Sequence, residues 1–184
     1  MKKYSEFNEK KAVAVAARLI QLNGGSCDKY WLNKLMYYVE RQSLVESGQP
    51  IFFDELFSIP WGPIVSSVKD GIDSCSYPYD TLWSNHLVLQ GNNVVLTKEP
   101  DYFELSRFEE KIIKDTFEKF KNFDFNQLKD YFHGLPEHKE TNTREEISYE
   151  EILRHEGVKE EDIEEAIKEL AYIQFFKNQI SAGS

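Results

Sequence analysis

The local cluster of side chains best suited to hold a metal is His133-Gly-Leu-Pro-Glu137-His138, two imidazoles and a carboxylate on one short stretch. Pro136 denies this stretch the regular helix that would align its donors on one face, so the histidines read as loop anchors and no metal is expected. Cys27 and Cys75 stand far apart and outside any CxxC pair, which supplies neither a zinc-finger spacing nor a disulfide framework. Each reads as a small, partly buried thiol. The carboxylates at Glu109-Glu110, Glu150-Glu151 and Glu160-Glu161-Asp162 would suit acid–base work. They fall instead in the first turns of expected helices, where negative charge complements the N-terminal dipole.

The sequence contains no GxxxxGK or GxGxxG phosphate loop, no GxSxG elbow, no HExxH pair and no HxE with a PCxxC partner. No enzyme active site and no cofactor are expected. Lys111, Lys114, Lys119 and Lys121 would make a phosphate-contacting stripe, but Glu110, Asp115 and Glu118 interleave with them and cancel the field. A net charge of -10 repels phosphate backbones, so nucleic acid is an unfavoured partner. The aromatic segment 51–61 is the strongest remaining signal. Phe57, Ile59 and Trp61 alternate at period two, which suits an extended segment at the core edge, and their density also suits a protein-binding surface.

A chain of 184 residues is long enough to bury one core without staples, and a hydrophobic share of 41% with an aromatic share of 14% excludes disorder over most of it. Residues 137–170 carry 13 acidic and 5 basic side chains, so most of the negative charge lies in the C-terminal third. Lys2 and Lys3 are followed by no long apolar run, and Arg18 interrupts the stretch Ala12 to Leu22. Neither a signal peptide nor a membrane span is expected, and the cysteine usage fits a cytoplasmic location.

The expected fold is mainly α, a compact domain of six to seven helices with one small β-hairpin. Val13, Ala16, Ala17 and Ile20 stripe a helix over 9–22, closed by Asn23-Gly24-Gly25. Asp28 caps a second helix reaching Ser47, with Trp31, Leu32, Leu35, Met36 and Val39 inward and Gly48 beyond its end. Pro63 is placed to start a short helix through Asp70, and 71–85 reads as loop. His86–Leu89 and Val94–Thr97 flank a turn and form the hairpin. Capping-box spacing at Ser106–Glu109 and Ser148–Glu151 starts two further helices, the first burying Phe108, Ile112, Thr116, Phe117 and Phe120. A short helix spans 126–132, and a last one, about 159–178, carries Ile163, Ile167, Leu170 and Phe175 on its apolar side.

Leu32-Asn33-Lys34-Leu35-Met36-Tyr37-Tyr38, then Gly48-Gln49-Pro50, then Trp61-Gly62-Pro63-Ile64-Val65 resembles the Panacea domain, the SocA-like antitoxin family. Leu128 to His133 is similar to the family's second signature, without the tryptophan that often follows it, and Ile147–Ile152 is similar to its ending. The resemblance, over about residues 10–155, implies a helical antitoxin domain placed at 1–157, and the residue pattern of 158–184 reads as an acidic helix packed on the same domain. It further implies binding to a protein toxin encoded nearby, by masking it or by delivering it to a cytoplasmic protease. Autoregulation through DNA is not expected. Leu35, Tyr38, Gly62 and Pro63 serve as core and helix-start positions, whereas Tyr37, Phe57, Trp61 and His133 are the expected toxin-binding residues. Two alternatives stand beside it: a phage accessory protein that binds a host defence component through the same surface, and an enzyme whose site is unrecognised.

Overall fold

Asp28 opens the helix on which the other elements pack. In the computed structural model, which describes residues 6–77 and 80–182 (174 and 177–182 as backbone alone), its carboxylate accepts the N–H groups of Tyr30 and Trp31. Gly48, at φ 74°, closes the same helix in the left-handed conformation that glycine adopts without strain. This is α2 (Lys29–Ser47), and α1 (Glu9–Leu22) lies beside it with the expected bounds. Positions 1–5, where no signal peptide is expected, and 78–79, within the expected loop, lie outside the described residues.

Five more α-helices follow among the described residues: α3 (Ser66–Ser74), α4 (Arg107–Phe120), α5 (Phe125–His133), α6 (Tyr149–His155) and α7 (Glu160–Ala182). Both expected capping boxes form, at Ser106 with Glu109 and at Ser148 with Glu151. The expected hairpin is present as β4 (Leu87–Gln90) and β5 (Asn93–Leu96), and β1 (Ser26–Asp28) pairs with β5 to make a three-stranded sheet.

A second sheet departs from the expected fold. β2 (Leu56–Ile59), β3 (Gly62–Val65) and β6 (Glu145–Ile147) pair antiparallel in the order β3-β2-β6. Pro63 therefore sits in a strand opposite Ser58 and does not begin a helix. Proline is tolerated there because β3 is an edge strand and needs no donor on its free side. The helix starts later, at Ser66, because its cap comes from a distance, and it runs to Ser74 through part of the expected loop. Val65 offers no capping side chain; Asp54 accepts the N–H groups of Ser67 (2.6 Å) and Val68 (3.2 Å) instead.

Two expected core positions also shift. Phe108 is partly exposed because Ile112, Ile113, Thr116 and Phe120 form the inner face of α4, with Phe117 half-buried edge-on to Trp31. On α7, Ile163 and Leu170 are buried and Ile167 is half-buried, but Phe175 is exposed, since the body covers only the first part of the helix. No helix among the described residues is long and apolar enough to cross a membrane.

α2 is buried nearly all round, polar residues included. Glu40 is wholly buried and accepts the backbone N–H groups of Ile51 (2.8 Å), Phe52 (3.0 Å) and, at 3.4 Å, Asp54. These bonds hold the strap between α2 and β2, in which Phe53 has φ 57°, a conformation that costs a non-glycine residue about 1–2 kcal/mol. Tyr149 of α6 adds a hydroxyl bond to the carbonyl of Asp54. Burial pushes the Glu40 carboxyl up to about 7, against the opposing pull of its N–H donors.

Glu40→Ala strands those donors and leaves a void, so it should lower the unfolding free energy by about 2–4 kcal/mol in guanidinium titrations. Glu40→Gln keeps one acceptor and removes the titration. Because the folded protein holds this proton more tightly than the unfolded chain, the parent should lose stability relative to Glu40→Gln as the pH rises from 4.5 to about 7. Parallel pH profiles for the two proteins would refute the assignment.

Candidate functional site

Lys34, Tyr37 and Arg41 recur at helical spacing along one side of α2, and all three are buried. Lys34 reaches the β2–β3 turn, and Tyr37 and Arg41 converge on the loop after α5. The Lys34 amine is pushed down to about 7 by burial, and it donates to the carbonyl of Pro63 at 2.8 Å. The Tyr37 hydroxyl donates to Glu137 Oε1 at 2.9 Å. Arg41 grips both oxygens of the same carboxylate, at 2.6 and 3.2 Å, and also pairs with Glu156.

β2 and β3 are joined by the two-residue turn Pro60-Trp61, with Ile59 opposite Gly62. Gly62 has φ 93°, and a Cβ built there would lie 3.0 Å from Lys34 Nζ and 3.2 Å from His133 Cδ2. Glycine is needed here for its backbone and for its lack of bulk. The two segments singled out in the sequence, around Gly62 and at His133, therefore meet in space. The α2 residue that comes between them is Lys34, not Tyr37.

Tyr37 is fully buried and presents nothing to a surface, a correction to its expected exposure. Its phenol is kept protonated, with its pKa raised by burial and then by the neighbouring Glu137 charge. Phe57 is half-buried, with the Arg144 guanidinium stacked 3.5 Å from its ring centre. Leu35 and Tyr38 lie in the core. Trp61 stands 58% exposed at the turn, and His133 is partly covered.

The loop after α5 turns Glu137 inward and brings His138 back against His133, with ring centres 4.7 Å apart. Ser58 Oγ lies 3.2 Å from His138 Nδ1 and accepts the Lys139 N–H. Burial, then the nearby charge of His133, lowers the His138 pKa. Cys27 and Cys75 are both buried free thiols, pushed up to about 12 and about 11 by burial, which leaves them without nucleophilic character. On α4, Lys111 pairs with Asp115, Lys121 with Glu118, and Lys119 with the Tyr38 hydroxyl.

A cleft of about 810 Å³ opens between the start of α2, the β2–β3 turn and the start of α5. Ile59, Ile64, Leu128 and Trp31 supply apolar walls, and Lys34 reaches its lining. Tyr30, Trp61 and Phe125 make an aromatic group at its edge. The Tyr30 hydroxyl donates to the Trp61 carbonyl at 3.2 Å, and the Tyr30 and Phe125 rings lie 4.8 Å apart. Phe125 is 50% exposed. Asp28, Lys29, Lys69, Lys121 and Asp124 surround the aromatics with both signs of charge.

The family model for the antitoxin SocA-like, Panacea domain matches residues 32–139. The chain belongs to this family. The Panacea match covers more than half of the chain, from α2 through α5 to the loop that carries His138. No curated protein and no solved structure matches the chain. Sequence reasoning missed Lys34, Tyr30 and Phe125. The available signal was position: Lys34 follows Trp31 by three residues on an apolar helix, and Tyr30 precedes Lys34 by four.

Gly62→Ala should cost about 1–2 kcal/mol, through the positive φ and the crowding of Lys34 and His133, and should lower the melting temperature measurably. An unchanged melt would mean that the turn relaxes freely and does not lock these groups together.

Proposed function

We propose that this chain is an antitoxin that neutralises a partner toxin, encoded nearby, by direct binding at the Tyr30–Trp61–Phe125 cleft. The observation that carries this reading is the exposed aromatic edge of that cleft, in which Trp61 and Phe125 come from the segment that matches the antitoxin family and Tyr30 stands just ahead of it. Large aromatics left half in solvent around an apolar depression are expensive for a chain that binds nothing there, and they are the side chains that dominate protein interfaces. The surrounding charges supply a polar rim. Because both the turn and the start of α5 are anchored to α2, the edge is preorganised and a partner meets little ordering cost. A single preorganised surface supports masking of the toxin, whereas delivery to a protease would need a second surface. The acidic stretch 137–170 favours a toxin with a basic face, with an association rate that falls as salt is added.

Co-expression with each neighbouring reading frame, scored by rescue of growth, identifies the toxin. With that toxin in hand, Trp61→Ala and Phe125→Ala should each weaken binding by about 1–4 kcal/mol without changing the melting temperature. Phe103→Ala, at a ring 98% exposed elsewhere on the surface, is the control and should bind like the parent. If the two cleft variants also bind like the parent, the interface lies elsewhere.

A further inference from the structure

We infer that His133, His138 and Glu140 form a binding site for one divalent transition-metal ion of the zinc class. One nitrogen of each histidine and a Glu140 carboxylate oxygen lie within 4.8 Å of one another. The convergence is closer where it matters: the same Glu140 oxygen, Oε1, is 3.6 Å from His133 Nδ1 and 3.8 Å from His138 Nε2. Those separations are too long for hydrogen bonds. They approach the spacing of donors around a small ion, since metal–ligand distances of about 2.0–2.1 Å in a tetrahedron set donors about 3.4 Å apart.

The donors are also presented in a usable form. His138 Nε2 is buried and has no hydrogen-bond partner among the described residues. Its other nitrogen faces Ser58 Oγ, and that oxygen has a lone pair left to accept Nδ1–H, the tautomer that turns the Nε2 lone pair toward Glu140. The His133 ring is packed against Gly62, which fixes its direction. Glu140 is 85% exposed and closes the remaining gap at little cost. The set of two imidazoles and one carboxylate suits zinc, cobalt or nickel better than magnesium or calcium. Pro136 prevents a helix here, yet the turn it enforces performs the alignment that a helix would have given. Glu137, which the sequence pairs with the histidines, is taken by Arg41 and Tyr37, and Glu140 stands in its place. Lys34 lies close by and opposes a cation, so the affinity should be below that of closed four-ligand sites. A bound ion would tie the end of α5 to the chain leading into β6, above β2.

The test uses the full chain with Co²⁺ as a spectroscopic probe and Zn²⁺ as its competitor. One equivalent of Co²⁺ should give a visible d–d band without thiolate charge transfer, and Zn²⁺ should abolish it. Glu140→Ala removes an exposed side chain and leaves the fold intact; it should weaken Zn²⁺ binding by about tenfold or more, as should His138→Ala. Zn²⁺ should raise the melting temperature of the parent and leave that of Glu140→Ala nearly unmoved. Absence of saturable one-to-one binding would overturn the site. So would parental affinity in both variants, which would place the ion elsewhere on the acidic surface.

Discussion

Polar and charged groups buried along α2 must be satisfied from outside the helix, and that requirement organises the molecule. A helix already uses its own backbone donors and acceptors, so Lys34, Tyr37, Glu40 and Arg41 find partners only in neighbouring segments. Lys34 takes the Pro63 carbonyl, Glu40 takes the 51–54 strap, and Tyr37 and Arg41 take Glu137. Removing any one partner leaves a desolvated group uncompensated, which is costlier than the bond was worth. The irregular segments are thereby tied to the helix. Asp54 extends the effect one step further: the strap that Glu40 fixes supplies the cap of α3.

This internal anchoring explains how a short turn can offer an exposed tryptophan without collapsing onto the core. The backbone of the turn is restrained at Gly62 and Pro63, from beneath, by Lys34. Trp61 is then restrained through its own carbonyl by Tyr30, while its ring stays largely free of neighbours. Phe125 follows the Asp124 cap of α5 and stands in the same relation to its helix. Rigid support below and apolar area above is the arrangement that lowers the entropy cost of binding a partner.

The local features were legible in the sequence wherever a single element decided them. Asp28 and Gly48 bound α2, Ser106–Glu109 and Ser148–Glu151 start their helices, and the turn after Gln90 makes its hairpin. What misled were decisions taken over long range. Pro63 looks like a helix start because proline fits the first helical position, and only pairing with Ser58 makes it a strand residue. The cap of α3 comes from Asp54, twelve residues upstream of the helix start at Ser66, where no local rule looks for it. Tyr37 was ambiguous for the opposite reason. A phenol suits a surface or a buried bond equally, and its partner, Glu137, lies a hundred residues away.

The family resemblance and the proposed binding surface rest on different residues, which bears on how much the resemblance says. Lys34, Leu35, Tyr37, Tyr38, Gly62, Pro63 and His133 carry it, and each is buried or packed against a buried group. They are the residues that a change would unfold or distort, so a pattern built on them reports the platform. Tyr30 and Phe125 fall outside that pattern, and Trp61, at its edge, has its ring in solvent. Substitutions at these positions alter the contact surface at little cost to the core. A match to the Panacea domain therefore identifies the scaffold, and on the proposed reading the choice of partner belongs to side chains that the core does not fix.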